Sequence, residues 1–158
     1  MDRIVILKII LTSIILLSVS LVKAQDTINY NEISKDIVLN SCGNVNLEKT
    51  ETTYDNLTEL DTNKITTGLS RYYSDLGMTL YLLSVYKGEA HYLDEAIENY
   101  KKSIQIEKKN GNAYHQLAFI YFNMKKDTKN AKKYINLYKK YTKEENQDVE
   151  LIEKIEKK

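Results

Sequence analysis

The chain has 158 residues, of which 42% are hydrophobic and 28% charged, with a formal net charge of +1. That is room for one domain of ordinary globular composition. The near-neutral balance speaks against nucleic acid or an anionic membrane surface as partner, since both demand a basic excess, and a single cysteine excludes an intramolecular disulfide.

Residues 1–24 read as a signal peptide. Arg3 and Lys8 supply positive charge, partly offset by Asp2, and residues 9–22 are apolar apart from Thr12, Ser13, Ser18 and Ser20. Ala24 is the small residue that a signal peptidase needs just before the cut. The apolar run is short for a spanning helix, which takes about 20 residues. The alternative counts residues 4–22 as one uncleaved anchor, with Lys8 snorkelling at its end. In both readings the rest of the chain is exported, as a periplasmic or secreted protein or one held at the membrane. Removing 24 of the 158 residues leaves 134, and takes away 3 of the 23 basic and 1 of the 22 acidic residues, for a net charge of −1. Cys42 lies too far from the apolar segment to be a lipid-attachment cysteine of the bacterial kind and reads as an idle or buried thiol.

Over residues 25–45, Ile28, Tyr30, Ile33, Ile37 and Val38 recur near helical spacing, and Asn40, Ser41, Gly43 and Asn44 then supply a stop. One amphipathic helix is expected there. Residues 46–64 are rich in Thr, Asn, Glu and Asp, with Leu47, Tyr54, Leu57 and Leu60 as the substantial apolar residues. So little apolar surface predicts a polar, mobile linker with at most a helical turn over residues 55–60. Asn56-Leu57-Thr58 matches the glycosylation acceptor pattern, which also occurs often by chance.

A helical domain is expected over residues 65–158. Leu69, Tyr72, Tyr73, Leu76, Leu80, Leu83 and Tyr86 step by three and four, as in a helix buried on one face. Asp61 or Asn63 can cap its start and Gly88 can end it. A second helix spans about residues 93–108, with Asp94 and Glu95 in its first turn, where negative charge is favoured. On it Ala96, Tyr100 and Ser103 share a face. After the Asn110-Gly111-Asn112 turn, a third helix takes residues 113–124 and turns Tyr114, Leu117, Ala118, Tyr121 and Phe122 inward. A fourth takes residues 128–141, capped by Asp127 or Thr128, with Ala131, Tyr134, Ile135 and Tyr138 apolar. Residues 148–157 form a last amphipathic helix with Val149, Ile152 and Ile155 as its stripe and Glu150 paired to Lys154.

No catalytic, metal or cofactor constellation emerges from this pattern. His91 and His115 stand apart, with no Cys, Asp or Glu at ligand spacing. There is no glycine-rich phosphate loop and no serine at a nucleophile elbow. The lysine pairs at 101–102, 108–109, 132–133 and 139–140 alternate with acids, as solvated helix faces do.

The spacing of the four main helices carries a resemblance. Residues 70–143 resemble two tetratricopeptide repeats, whose pattern is aromatic-x-x-Leu-Gly-x-x-Tyr on one helix and Ala-x-x-x-aromatic-x-x-Ala on the next, in about 34 residues. Tyr73, Leu76, Gly77 and Leu80 match the first helix of the first unit, and Ala96, Tyr100 and Ser103 its second. Tyr114, Leu117, Ala118 and Tyr121, then Ala131, Ile135 and Tyr138, match the second unit. Lys108 stands where the family usually has proline. The first unit carries about seven extra residues between Leu80 and Ala96, about two helical turns, so its first helix is expected to run on to a displaced corner at residues 88–90.

The resemblance implies an all-α fold of antiparallel helix pairs stacked as a short right-handed solenoid, closed by a C-terminal capping helix at 148–157. It also implies a protein-interaction module whose groove is lined by the first helix of each pair. The groove positions carried over are Arg71, Ser74, Met78 and Tyr81 in the first unit, and Asn112, His115, Phe119, Phe122 and Asn123 in the second. The charged clamp with which some members hold a C-terminal carboxylate is missing at His115, Phe119 and Asn123. Met78, Tyr81, Phe119 and Phe122 suit a peptide or an amphipathic helix of a partner protein instead. Two rivals remain: these residues pack on the chain itself, its N-terminal helix included, or the protein is a tethered scaffold with no groove ligand.

Overall fold

A computed structural model describes residues 27–38 and 46–158, which therefore leaves the expected signal peptide, Cys42 and the stop at residues 40–44 outside the described residues. The chain divides into two compact units, Met1–Leu69 and Ser70–Lys158.

The first unit departs from the expected order. Before the helix comes a short strand β1 (Ile28–Asn29), and among the described residues helix α1 takes Tyr30–Val38. β1 pairs in parallel with β2 (Ile65–Thr67), Ile28 opposite Ile65. Ile65 is thus a strand residue rather than the start of the helical domain. Gly68, at φ +84, makes the turn that follows, and Asp61 caps a single 3-10 turn at Thr62–Lys64 instead of a long helix.

The expected mobile linker at 46–64 is also corrected. Leu47–Thr58 is a 12-residue helix, α2. Asn46 caps it by accepting from the Lys49 amide at 2.9 Å. The threonines that made this stretch look solvated dispose of their own hydroxyls. Thr50 donates to the Asn46 carbonyl at 2.8 Å and Thr53 to the Lys49 carbonyl at 2.9 Å, so each can bury its methyl without an orphaned donor. Both are buried, alongside Leu57 and Leu60. The Asn56-Leu57-Thr58 acceptor tripeptide lies within this helix: Leu57 is fully buried, and the Thr58 hydroxyl donates to the Tyr54 and Asp55 carbonyls.

The second unit is all helix: α3 (Leu69–Lys87), α4 (Ala90–Ile106), α5 (Gly111–Asn123), α6 (Thr128–Tyr141) and α7 (Val149–Glu156). α3 has 19 residues against the 13 of α5, which is the lengthening expected from the extra residues before Ala96. Its corner falls at Gly88, φ +70.

α3 and α4 are antiparallel and pack tightly at Gly77, where a Cβ would lie 3.2 Å from the Tyr100 ring. The Tyr100 phenol is buried without a partner for its hydroxyl, and burial raises its pKa. Ala96, Ala113, Ala118 and Ala131 are all fully buried where helices meet. Leu117, Ile120, Ile135 and Ile155 fill the centre of the second unit.

The first helices of successive pairs run in one direction. Ser70 and Ser74, early in α3, meet Asn110 at the start of α5, while Tyr81, late in α3, meets Phe119. α7 continues the series beside α5: Asp148 at its start meets His115, and Lys158 beyond its end reaches Phe122. It buries Leu151, Ile152 and Ile155 and turns Glu150, Glu153, Lys154 and Lys157 to solvent, the polar outer face that closes a repeat array. Val149, expected in its apolar stripe, is instead exposed, with Leu151 taking the buried place.

Candidate peptide-binding groove

The expected groove residues lie on α3 and α5, and three environments divide them. The central group is Met78, Tyr81 and Phe119, all partly buried against the core. Tyr81 meets Phe119 edge to face, with centroids 6.0 Å apart and planes at 89°, a preferred aromatic geometry. This pair joins the first helices of the two successive units and leaves part of both rings open to solvent. Asn123, one turn beyond, donates to the Phe119 carbonyl of its own helix at 3.2 Å.

Arg71 lies at the near end of α3, exposed and 3.7 Å from Asp75. It borders a cavity of about 430 Å³ with Ser74, Asp75, Glu107, Lys109 and Asn112. Ser74 does not face a ligand: it is buried, and belongs to a polar cluster that bolts α3, α4 and α5 together. The Asn110 amide donates to the hydroxyls of Ser70 at 3.2 Å, Ser74 at 3.1 Å and Ser103 at 2.9 Å. The two α3 serines also share hydrogen bonds with Ser103, at 3.0 and 2.8 Å. The Asn110 carbonyl oxygen accepts from the Ala113 amide and caps α5.

His115 and Phe122 turn away from this centre, toward α7. His115 Nε2 is 3.0 Å from Asp148 Oδ2, and its ring leans on Tyr138 with centroids 5.0 Å apart. Lys158 Nζ stands 5.3 Å from the Phe122 centroid. The Asp148 carboxyl is held below its ordinary pKa, first by the Leu151 amide and then by His115. His115 and Phe122 thus make contacts within the chain at the α7 end, although Phe122 is partly buried against the core as Met78, Tyr81 and Phe119 are.

Sequence reasoning missed the residues that tie α3, α4 and α5 together. Ser103 is visible on the Ala96–Tyr100 face, whereas Asn110 reads only as part of a turn before a helix at 113; the helix in fact starts at Gly111 with Asn110 as its N-cap. That the two meet could not be read from either position. A further cavity of about 540 Å³ beside α4 and Tyr121 includes two ion pairs in its lining, Lys101 with Glu98 at 2.8 Å and Lys125 with Asp94, beside Glu95 and Lys102. His91 is exposed, 3.4 Å from Glu89. Among the described residues, no three potential metal ligands cluster, and no helix is long and apolar enough to cross a membrane.

Residues 91–125 match a family model described as a TPR repeat. The matched stretch is α4, the Asn110 corner and α5. It therefore runs from the second helix of one pair into the first helix of the next, and leaves out the lengthened part of α3. No curated protein and no solved structure matches the chain.

Proposed function

We propose that this chain, which belongs to the tetratricopeptide-repeat family, is a non-catalytic, exported module that holds a peptide or helix of a partner protein along α3 and α5. Repeats of this family generally mediate binding to other proteins. The observation that carries the finer reading is the Tyr81–Phe119 pair. It is the one expected cluster in which rings from both first helices meet and still keep an open side. Met78 extends the apolar strip, while Arg71 and Asn112 give its near end a polar border. Aromatic anchors of this kind concentrate binding energy in a few residues.

The test is co-purification of a partner from exported protein of the native cell. With Tyr81→Ala/Phe119→Ala, we expect the captured partner to be lost while the melting curve of the chain stays in place. Unfolding of the variant, or undiminished capture, would remove the groove. Export is tested by the intact mass of the native protein. Loss of residues 1–24 supports the signal peptide, and an intact N-terminus supports the tethered scaffold.

A further inference from the structure

Charge is distributed unevenly along this chain, and α6 is the centre of the imbalance. Residues 125–143 hold 8 of the 23 basic residues and 1 of the 22 acidic ones, a net charge of +7. The other 139 residues hold 15 basic and 21 acidic ones, a net charge of −6. The near-neutral total therefore conceals a segregation. Within α6 the lysine pairs at 132–133 and 139–140 do not alternate with acids as expected, because the helix contains none. Lys129, Lys132, Lys133, Lys139 and Lys140 are all exposed, opposite the buried stripe of Ala131, Tyr134, Ile135 and Tyr138. At the helical rise this row is about 17 Å long.

Little inside the chain uses these charges. Lys139 Nζ meets Glu156 at 2.7 Å. Lys133 and Lys140 arch over the rings of Tyr134 and Tyr141 on their own helix, 5.2 and 5.3 Å from the centroids. Among the described residues, no carboxylate forms an ion pair with Lys129, Lys132, Lys133 or Lys140. Asp127, the nearest acid in sequence, is committed to capping α6 through Asn130. Helix stability does not ask for them either. The first turns of a helix favour acids, and like charges three or four residues apart repel. Lys129, Lys132 and Lys133 thus stand where they weaken α6.

The chemistry of the row restricts what it can meet. Protein interfaces are depleted in lysine and centre on apolar or aromatic anchors, whereas the exposed large apolar residues, Val85, Tyr86, Met124 and Val149 among them, lie off α6. Nucleic-acid readout takes arginine forks or aromatic platforms, and the row has neither: Asn136 is its one other exposed side chain. Lysine heads are compact, hydrated point charges, set here along one helix whose apolar face is already buried. That suits a broad anionic plane met without insertion, as at the headgroups of an anionic bilayer.

We infer that the outward face of α6 is an electrostatic landing surface for anionic phospholipid headgroups. The row lies opposite the face that packs into the core with α5, so a chain adsorbed there leaves the Tyr81–Phe119 pair clear. The surface does not depend on the groove reading, because adsorption is measured with no partner present.

The experiment is co-sedimentation of the full chain with vesicles, either of phosphatidylcholine alone or of phosphatidylcholine and phosphatidylglycerol in equal parts, at about 0.1 M salt. The apolar residues 9–22 can add the same affinity for both, so the readout is the ratio between the two. We expect roughly ten-fold or more tighter binding to the anionic vesicles, lost as salt is raised and the Debye length shrinks. Lys129→Gln/Lys132→Gln/Lys133→Gln/Lys140→Gln should remove most of that preference and leave the chain folded. Lys35→Gln/Lys49→Gln/Lys64→Gln/Lys108→Gln, which removes the same charge elsewhere, should keep it. Equal binding to the two vesicles, or an equal loss in the two variants, overturns the inference. So does tighter binding to duplex DNA or to polyglutamate at matched charge, which would assign the face to nucleic acid or to an acidic protein.

Discussion

The two corners on either side of α4 are made in opposite ways. At Gly88 the chain turns in open space. A Cβ there would meet nothing within 4 Å, and Glu89, at the N-cap of α4, gives no side-chain cap. At Asn110 every group is engaged. The side chain caps α5 and spans three serines, Tyr114 donates its hydroxyl to the Lys108 carbonyl at 3.2 Å, and Gly111 is pressed against Thr142. The family's usual device at the second corner is a proline, which fixes φ. Here Lys108 stands in its place, and hydrogen bonds among side chains do the fixing. The Asn110 corner lies inside the stretch that matches the family model, and the Gly88 corner lies before it. At Gly88 itself there is room for the turn to vary, since a Cβ there meets nothing within 4 Å, while Asn110 ties α3, α4 and α5 through Ser70, Ser74 and Ser103.

Breaking the engaged corner should have the largest effect. Ser103 is fully buried at the centre of the polar cluster. Ser103→Leu forces a larger side chain between α3 and α4 and leaves Ser70, Ser74 and Asn110 with unmet hydrogen bonds. Overpacking and buried unsatisfied groups each cost about 1–3 kcal/mol. We expect a loss of about 3 kcal/mol or more, read by urea denaturation, with the α3–α5 register disturbed. Unchanged stability would mean that the cluster is incidental.

Asn110→Ala should cost less, about 2 kcal/mol, since it removes one cap and one donor without adding bulk. Asn110→Asp sharpens the point. It keeps the cap oxygen and offers no amide hydrogens to the serines, so it separates the two roles. A cost near that of Asn110→Ala assigns the corner to the serine cluster. A cost near zero assigns it to the cap alone.

The helices of the second unit were legible from periodicity and stop signals, and the start of α6 at Thr128 and the cap Asp127 agree with the expectation. Apolar residues at three- and four-residue steps report burial directly. α2 was not legible, because Thr50 and Thr53 count as polar by composition while behaving as small apolar residues once their hydroxyls bond four residues back. β1 and β2 were hidden for another reason. A two- or three-residue strand has no period to detect, and its pairing joins residues 37 apart (28 to 65). Of the expected groove residues, Met78, Tyr81 and Phe119 lie partly buried against the core, and Tyr81 meets Phe119 edge to face. His115 and Phe122 are on the same helix but face α7, and periodicity says which side of a helix is buried, not which neighbour covers it.

The Gly88 corner should be the hardest to damage, and a substitution there measures how much of its geometry matters. Its only demand is a positive φ of 70°, where a non-glycine residue costs about 1 kcal/mol. Gly88→Ala should lose about that much, with no steric term, since the space around a new Cβ is empty. Gly88→Asn should lose less, because asparagine tolerates the left-handed region. Inserting two residues after Gly88 adds only loop-closure entropy, a few tenths of a kcal/mol. The same insertion after Asn110 separates the cap from its three serines and should cost as much as Asn110→Ala or more. Equal losses for the two insertions would show that the corners are equivalent after all. Unequal losses would place the rigidity of the domain at the Asn110 junction, leaving the lengthened turn of α3 free to vary.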